Sequence, residues 1–404
     1  MDIEKELTWI ENAIEELSKT AEKDGISWRA SYTPEDQKGT ELLKAWMEEK
    51  GFCTYFDEVG NLFGRIAGKK EEVILTGSHR DTVKNGGKYD GALGVITAIE
   101  GISALYQKYG RPEKTVEVAA FCEEEASRFP TGFIGSSGIT GELSEKDLNE
   151  KDDDGITVKE AMEGAGYYKE GVLPQKRSDI LRTVELHIEQ GNVLEYQKKD
   201  LGIVTSIVGV HQGYLYFEGH QNHAGTTPMS IRNDPVPVAA ELISKMSKWA
   251  DAKEDRVVCT FGSMSLEPGE ANVIPGAMKI TFDIRSVDQS LLEEAEALIA
   301  YLKAANGEKI KIGIEYLVKD DPIRMDDEGI AIMQKIADEE KYAYMLIDSG
   351  AGHDSQLFAR YFKSNMIFLP SKDGISHSPE EFTDIRRSAD GYRLLKAYMK
   401  ELAW

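Results

Sequence analysis

The pattern of apolar and polar residues in the first half of the chain is that of buried strands alternating with helices. Near-continuous apolar runs such as EEVILTGSH and TVEVAAFCEEE are separated by stretches of helical period, and Leu7, Ile10 and Ile14 share one face of an opening helix. Apolar strands of this kind are typical of a sheet that helices cover on both faces. The pattern therefore predicts an α/β domain with a largely parallel mixed sheet.

The pattern changes after about residue 206. GYLYFEGHQNH and GAMKITFDIRS alternate apolar and polar residues, while PVPVAAELISKMSKWA and SLLEEAEALIAYLKAA have the period of amphipathic helices. MIFLPSKDGISHSP then returns to a buried strand. We therefore predict a first domain formed by residues 1–206 and 322–404, interrupted by an inserted α+β domain, residues 207–321, with an antiparallel sheet and two helices.

Composition and charge exclude several classes of protein. The 404 residues are 41% hydrophobic and 29% charged, as in soluble globular proteins. A net charge of −23 argues against nucleic acid or an anionic membrane as a partner. No apolar run reaches the length of a membrane span, and the charged N-terminal segment is unlike a signal peptide. Three scattered cysteines favour a reducing compartment, so we expect a cytoplasmic protein.

Three of the seven histidines follow apolar strands, with carboxylates close by in the sequence. His79, His187 and His377 end such runs, and the carboxyl ends of parallel strands are where ligand sites gather. A single histidine of this kind is more often structural, but three with acidic companions favour a metal site. Asp81, two residues after His79, can orient the imidazole. Asp90, in a glycine-rich turn, can bridge two cations.

The run FCEEEASRF supplies further carboxylates at the end of a strand. Glu123, Glu124 and Glu125 would repel one another unless a cation neutralises one of them, although a solvated loop is the simpler alternative. Nitrogen and oxygen ligands without a thiolate suit zinc, manganese or cobalt. Two such ions can hold a hydroxide, beside which a carboxylate acts as general base. The glycines form neither a dinucleotide-binding nor a P-loop motif, so we expect hydrolysis.

Seven motifs, in order along the chain, resemble one known family. GSHRDTVKNGGKYDG, EEEASRF, ELHIEQG, NHAGTTPM, ANVIPG, GAGHDSQ and DGISHSP together resemble the hydantoinase/carbamoylase branch of the M20 metallopeptidase-like amidohydrolases. Within that branch FDEVGNLFGR, TVEVAAFCEEEASRFP, SGAGHDSQLFA and the terminal LAW resemble the allantoate-hydrolysing enzymes. The N-carbamoyl-L-amino acid hydrolases share most of the same motifs.

The resemblance implies roles for individual residues. It implies two divalent metal ions per subunit, zinc or manganese with cobalt or nickel as alternatives. His79, Asp90 and His187 would hold one ion, and Asp90, Glu125 and His377 the other. Glu124 would be the general base, with Asp81 orienting His79. The implied substrate-binding residues are Gln190, His223, Asn272, Arg285, Gly350, Ala351, Gly352 and His353.

The resemblance also implies an activity and an assembly. The expected reaction cleaves the ureido C–N bond of allantoate, giving ureidoglycine, ammonia and carbon dioxide. The alternatives are an N-carbamoyl-L-amino acid hydrolase or a related ureidoglycolate or β-ureidopropionate amidohydrolase. A dipeptidase or aminopeptidase, or an inactive binding protein on the same scaffold, is less favoured. The inserted domain is expected to act as a lid and to form a homodimer.

Overall fold

The structure, a computed structural model, describes residues 3–168, 173–306 and 309–404. Within these ranges no helix is long and apolar enough to cross a bilayer. The helices are α1 (Ile3–Thr20), α2 (Pro34–Glu49), α3 (Ala92–Tyr109), α4 (Ile134–Thr140), α5 (Glu145–Asn149), α6 (Val158–Gly164), α7 (Val193–Tyr196), α8 (Pro235–Asp251), α9 (Gln289–Asn306), α10 (Asp327–Glu340), α11 (Asp354–Phe358) and α12 (Ala389–Ala403). The strands are β1 (Glu22–Lys23), β2 (Ile26–Ser27), β3 (Cys53–Phe56), β4 (Leu62–Ile66), β5 (Lys70–His79), β6 (Lys114–Phe121), β7 (Ile180–Ile188), β8 (Leu201–Ile207), β9 (Gly209–Glu218), β10 (Asn222–His223), β11 (Val258–Thr260), β12 (Met264–Glu267), β13 (Val273–Ile274), β14 (Ala277–Ser286), β15 (Lys311–Asp320), β16 (Ile323–Arg324), β17 (Tyr344–Ser349) and β18 (Lys363–Leu369).

The chain divides into two compact units. The first unit is formed by Met1–Thr205 and Arg324–Trp404, and the second by Ser206–Ile323. The first unit is therefore built from both ends of the chain.

A nine-stranded mixed sheet forms the centre of the first unit, in the order β16-β8-β18-β7-β5-β6-β4-β3, with β17 paired to β8. The predicted mixed α/β sheet is confirmed, and the four central strands β18, β7, β5 and β6 are parallel. β8 and β4 flank them in antiparallel orientation. β3 and β4 are antiparallel because the short connection between them can only form a hairpin.

Helix α3 fixes the edge of the sheet at which the polar loops meet. It connects the parallel strands β5 and β6, and every residue from Ala92 to Leu105 is buried. A Cβ on Gly94 would lie 2.2 Å from the carbonyl oxygen of Leu186, so only glycine permits this approach of α3 to β7. The start of α3 is thereby held beside the carboxyl ends of β5 and β7.

The second unit has a sheet of its own with two helices packed on it. Its five strands have the order β11-β14-β9-β15, with β12 also paired to β14, and the measured registers of this sheet are antiparallel. Alternate residues of β9 and β14 are buried, as the sequence pattern predicts. Those side chains pack with buried residues of α8 and α9, such as Leu242 and Leu292. This unit therefore has an independent hydrophobic core.

Candidate metal centre

The polar residues expected at the strand ends do meet at one edge of the first unit's sheet. His79 is the last residue of β5, and His187 is the last residue but one of β7. The three glutamates begin two residues after β6, and His377 lies in the loop that follows β18. Because these four strands are parallel, their carboxyl ends place the side chains together.

One group of possible ligands consists of His79, Asp90 and His187. Asp90 Oδ1 lies 3.3 Å from His79 Nε2 and 3.1 Å from His187 Nε2, and the two Nε2 atoms are 3.3 Å apart. The Nδ1 atoms face backbone carbonyls, at 3.1 Å from Asp81 O and 2.9 Å from Ile188 O. A carbonyl accepts a hydrogen bond, so each Nδ1 carries the proton and each Nε2 offers a lone pair. Two converging lone pairs repel unless a cation lies between them.

A second group uses the other oxygen of Asp90. Asp90 Oδ2 lies 3.3 Å from His377 Nε2, which lies 3.3 Å from Glu125 Oε2. The possible ligand atoms of Asp90, Glu125 and His377 all lie within 4.8 Å of one another, as do those of the first group. Asp90 thus offers one oxygen to each group. Within the described ranges, Asp90 Oδ1 and Glu125 Oε1 are buried without a hydrogen-bond partner, which fits a cation at each group.

The electrostatics of the site also favour cations. Burial and the charge of Asp90 raise the pKa of Glu125 to about 7. Burial alone would lower the pKa of His79, but nearby carboxylates, Glu124 foremost, raise it well above its usual value. Burial alone would raise the pKa of Asp90, but the three surrounding imidazoles, His187 foremost, hold it well below its ordinary range. Three imidazoles and several carboxylates without a thiolate suit zinc, manganese or cobalt.

Asp81 acts on its neighbours differently from the expectation. We expected its carboxylate to orient His79, but the nearest carboxylate oxygen lies 3.9 Å from His79 Nδ1, and the backbone carbonyl of Asp81 accepts that hydrogen bond. The carboxylate instead accepts hydrogen bonds from the backbone N–H groups of Glu124, at 3.1 Å, and Glu125, at 3.2 Å. Asp81 therefore fixes both the His79 imidazole and the loop that carries the two glutamates.

The three consecutive glutamates lie in three environments. Glu123 turns away from the candidate ligands, and its Oε1 accepts hydrogen bonds from the backbone N–H groups of Arg128 and Phe129, both at 3.3 Å. Glu124 is buried and groups with His79 and Glu125. Burial raises the pKa of Glu124 well above its ordinary value, although the neighbouring His79 opposes this. Glu124 is thus placed beside both ligand groups.

Two of the expected substrate-binding positions in the first unit lie against the ligands. Gln190 Nε2 donates to Asp90 Oδ2 at 2.8 Å, and the left-handed backbone of Gln190, with φ 58°, directs it there. The ring of His353 lies 4.5 Å from the ring of His187, measured between centroids, and its Nε2 lies 3.1 Å from Ser349 Oγ. Burial and the neighbouring His187 lower the pKa of His353 well below its usual value, so its ring is neutral. Gly350, Ala351 and Gly352 form the loop that leads to it.

The other three expected substrate-binding residues belong to the second unit. His223 and Asn272 are neighbours, because β10 pairs with β13 and the N–H of Ala224 donates to the carbonyl of Asn272 at 2.9 Å. Arg285 lies on β14 and forms a two-point ion pair with Asp283, with Nε–Oδ1 at 2.8 Å and Nη2–Oδ2 at 3.0 Å.

Sequence reasoning missed two residues that hold Asp90 in place. Glu381 Oε1 accepts hydrogen bonds from the backbone N–H groups of Tyr89, at 2.9 Å, and Asp90, at 3.1 Å. Ser376 Oγ lies 3.0 Å from Asp90 Oδ2 and 2.9 Å from Glu381 Oε2. Both residues flank His377 in ISHSPEE, which was the only available signal, since a contact across 291 residues has no local pattern.

Comparisons with known proteins agree with this geometry. Residues 75–401 match the family model described as peptidase family M20/M25/M40. An allantoate amidohydrolase from Bacillus subtilis (strain 168) is 41% identical over 389 residues, covering 95% of this chain and 94% of the relative. An N-carbamoyl-L-amino-acid amidohydrolase from Pseudomonas sp. (strain NS671) is 35% identical over 399 residues, covering 94% of each. A crystal structure of a hydantoinase/carbamoylase family amidase from Burkholderia multivorans superposes with a TM-score of 0.89 at 30% identity, covering 98% of this chain and 97% of that one.

Proposed function

This chain belongs to the peptidase family M20/M25/M40, and on that premise we propose that it is a metal-dependent amidohydrolase that cleaves the ureido C–N bond of allantoate. Water and allantoate would give ureidoglycine, ammonia and carbon dioxide. The observation that carries the proposal is the position of Asp90 between two groups of possible metal ligands, because each of its two oxygens faces one group. The identity of 41% with an allantoate amidohydrolase supports the choice of substrate.

The proposed roles follow from the positions of the side chains. His79, Asp90 and His187 would hold one divalent ion, and Asp90, Glu125 and His377 the other, zinc or manganese being the candidates. Two ions so held polarise a carbonyl and make a water acidic. Glu124, beside both groups, would take the proton of the attacking water and return it to the departing nitrogen. Burial raises its pKa above the ordinary value, which makes the carboxylate a stronger proton acceptor.

Recognition of the substrate carboxylate is assigned to the second unit. The planar guanidinium of Arg285 can grip a carboxylate with two parallel hydrogen bonds, as it now grips Asp283. His223 and Asn272 lie side by side and would bind the ureido group. Gln190 and the Gly350–His353 loop would contact the substrate from the first unit.

The alternative substrate class is the N-carbamoyl-L-amino acids. A relative that is 35% identical over nearly the whole chain carries that activity in its name. Both substrates combine a carboxylate with a ureido group, so the same ligands and the same arginine would serve either.

A substrate panel with metal-reconstituted enzyme tests the proposal. Ammonia release from allantoate should exceed that from several N-carbamoyl-L-amino acids, and a chelator should abolish it. Glu124→Gln should keep its metal content and lose about 10²-fold or more in kcat, because the proton acceptor is gone. The matched control is Glu123→Gln, which should keep turnover because the Glu123 side chain bonds to backbone amides. Preferred turnover of carbamoyl amino acids would select the alternative, and full activity of Glu124→Gln would remove that residue from the mechanism.

A further inference from the structure

We propose that Glu185 is a positioning residue that couples the candidate metal-binding histidines of β5 and β7 to the Gly350–His353 loop. Glu185 belongs to neither of the two expected ligand groups. The inference deepens the proposed function and rests on it for the roles of those histidines. It concerns a side chain behind the ligands, facing the interior of the first unit.

One carboxylate joins three segments of the chain. Glu185 lies on β7, two residues before His187. Its Oε1 accepts a hydrogen bond from Ser78 Oγ at 2.7 Å, and Ser78 directly precedes His79. Its Oε2 accepts from Ser355 Oγ at 2.7 Å and from the Ser355 N–H at 3.3 Å. Since Ser355 lies in the first turn of α11, two residues after His353, each oxygen of Glu185 fixes a different side of the site.

The same residue also lies close to the imidazoles themselves. A carboxylate oxygen of Glu185, a ring nitrogen of His187 and a ring nitrogen of His353 all lie within 4.8 Å of one another. A shift of Glu185 would therefore displace His187 or change its basicity, and it would also displace the segments of Ser78 and Ser355 that Glu185 holds. Residues that orient metal ligands from behind typically change metal affinity or activity by about 10- to 100-fold when substituted.

The kind of partner distinguishes Glu185 from a buried glutamate that stabilises the fold. Glu117, on β6 at the other side of β5, is also buried, but its oxygens accept hydrogen bonds from two guanidinium groups, Arg65 at 2.6 Å and Arg177 at 2.7 Å. Among the described residues, the hydrogen bonds to Glu185 come from hydroxyl and amide donors, and none comes from a lysine or an arginine. A buried carboxylate of that kind costs stability, which a neutral glutamine would avoid.

This difference gives opposite expectations for two matched substitutions. Glu185→Gln should leave the thermal midpoint unchanged or higher and reduce kcat/KM by about 10-fold or more, with weaker metal retention. Glu117→Gln should lower the thermal midpoint, because it removes the buried anion that pairs with the half-buried guanidinium groups of Arg65 and Arg177. It should leave kcat, KM and metal affinity as in the wild type.

Two serine variants separate the two branches of the network. Ser78→Ala should weaken metal affinity through His79 with little change in KM at saturating metal. Ser355→Ala should raise KM through the Gly350–His353 loop with little change in metal affinity. Glu185→Gln should show both effects, and adding either serine change to it should bring little further loss in the corresponding measurement.

Metal affinity is measured by competition with a chromophoric chelator, using manganese and zinc, and kinetics with whichever ureido substrate the wild type turns over. The proposal is overturned if Glu185→Gln resembles Glu117→Gln, losing stability while metal affinity and kinetics stay at wild-type values. A wild-type protein that binds metal but turns over no ureido compound would instead refute the proposed function. In that case the metal affinities of Ser78→Ala and Glu185→Gln still decide whether Glu185 positions the ligands.

Discussion

At the scale of single residues, Glu123 shows how strongly burial alters a carboxyl group. Its backbone has φ 47°, which turns the side chain away from Glu124 and into the protein. Burial, with the charge of Asp81 adding to it, raises the pKa of Glu123 from 4.5 to about 8. At neutral pH the folded protein therefore holds a proton there that an unfolded chain has released.

The raised pKa predicts a pH-dependent stability with a definite sign. The stabilising contribution of protonated Glu123 is complete below pH 4.5 and is lost as the pH rises through about 8. Glu123→Gln keeps a neutral side chain at every pH. The urea midpoint of metal-free protein should therefore fall less between about pH 6 and about pH 8.5 in this variant than in the wild type. Glu58→Gln, at an exposed glutamate, is the control, and equal slopes in all three proteins would contradict the assignment.

The residue types of the site could be predicted, but several of their roles could not. Histidines and carboxylates after apolar strands indicated a metal site because parallel strands end at a common edge. The sequence EEE does not reveal which glutamate faces the ligands, since that depends on one positive φ at Glu123. The hydrogen bond from the backbone N–H of Asp90 to Glu381 is set by tertiary packing and has no signature in the local sequence.

At the scale of elements, the end of β5 is anchored to α2 by a buried ion pair. Arg80, between His79 and Asp81, donates from Nε to Asp36 Oδ1 at 2.7 Å and from Nη2 to Asp36 Oδ2 at 3.1 Å. Its Nη1 also donates to the backbone carbonyls of Gly60 and Ala120. The guanidinium is completely buried, and Asp36 is the negatively charged group that pairs with it.

Removing one partner of this pair should destabilise the first unit. Asp36→Ala leaves a buried, unpaired guanidinium, a change that costs about 3–5 kcal/mol. Urea unfolding followed by circular dichroism measures it. Lys44→Ala on the same helix, where Lys44 faces Glu48 at the surface at 3.7 Å, should leave the midpoint almost unchanged. Equal effects of the two changes would show that Asp36 is dispensable.

Individual elements could be read from the sequence more fully than their arrangement. Helix α2 begins with Pro34 and ends at Glu49, and the apolar face of the first helix is buried as expected. Both results follow from local periodicity and a proline at the helix start. The antiparallel flanks of the main sheet were not foreseen, because strand order depends on contacts between segments far apart in the chain.

At the scale of the whole molecule, we propose a homodimer through the second unit. Strand β12 pairs with β14, and its Met264 and Leu266 are 53% and 41% exposed. Exposed apolar side chains on a strand at the side of a sheet favour association with another chain. A second copy would cover these side chains.

Light scattering after size exclusion should accordingly give twice the chain mass of 45.0 kDa. Met264→Lys combined with Leu266→Lys should convert the protein to monomers, because two charges would be buried at the interface. Tyr301→Lys, at an exposed residue of α9, is the control and should stay dimeric. A wild type that elutes with the mass of one chain would refute the proposal.

The position of β18 also determines when the metal centre can form during synthesis. This strand lies between β7 and β8, and the segment after it supplies Ser376, His377 and Glu381 around Asp90. A nascent chain that has left the ribosome as far as Ile323 contains the whole second unit, yet its main sheet lacks a central strand. Domains generally fold as units while translation proceeds. The second unit can thus fold early, whereas the first unit must wait for its last eighty or so residues before it can capture both ions.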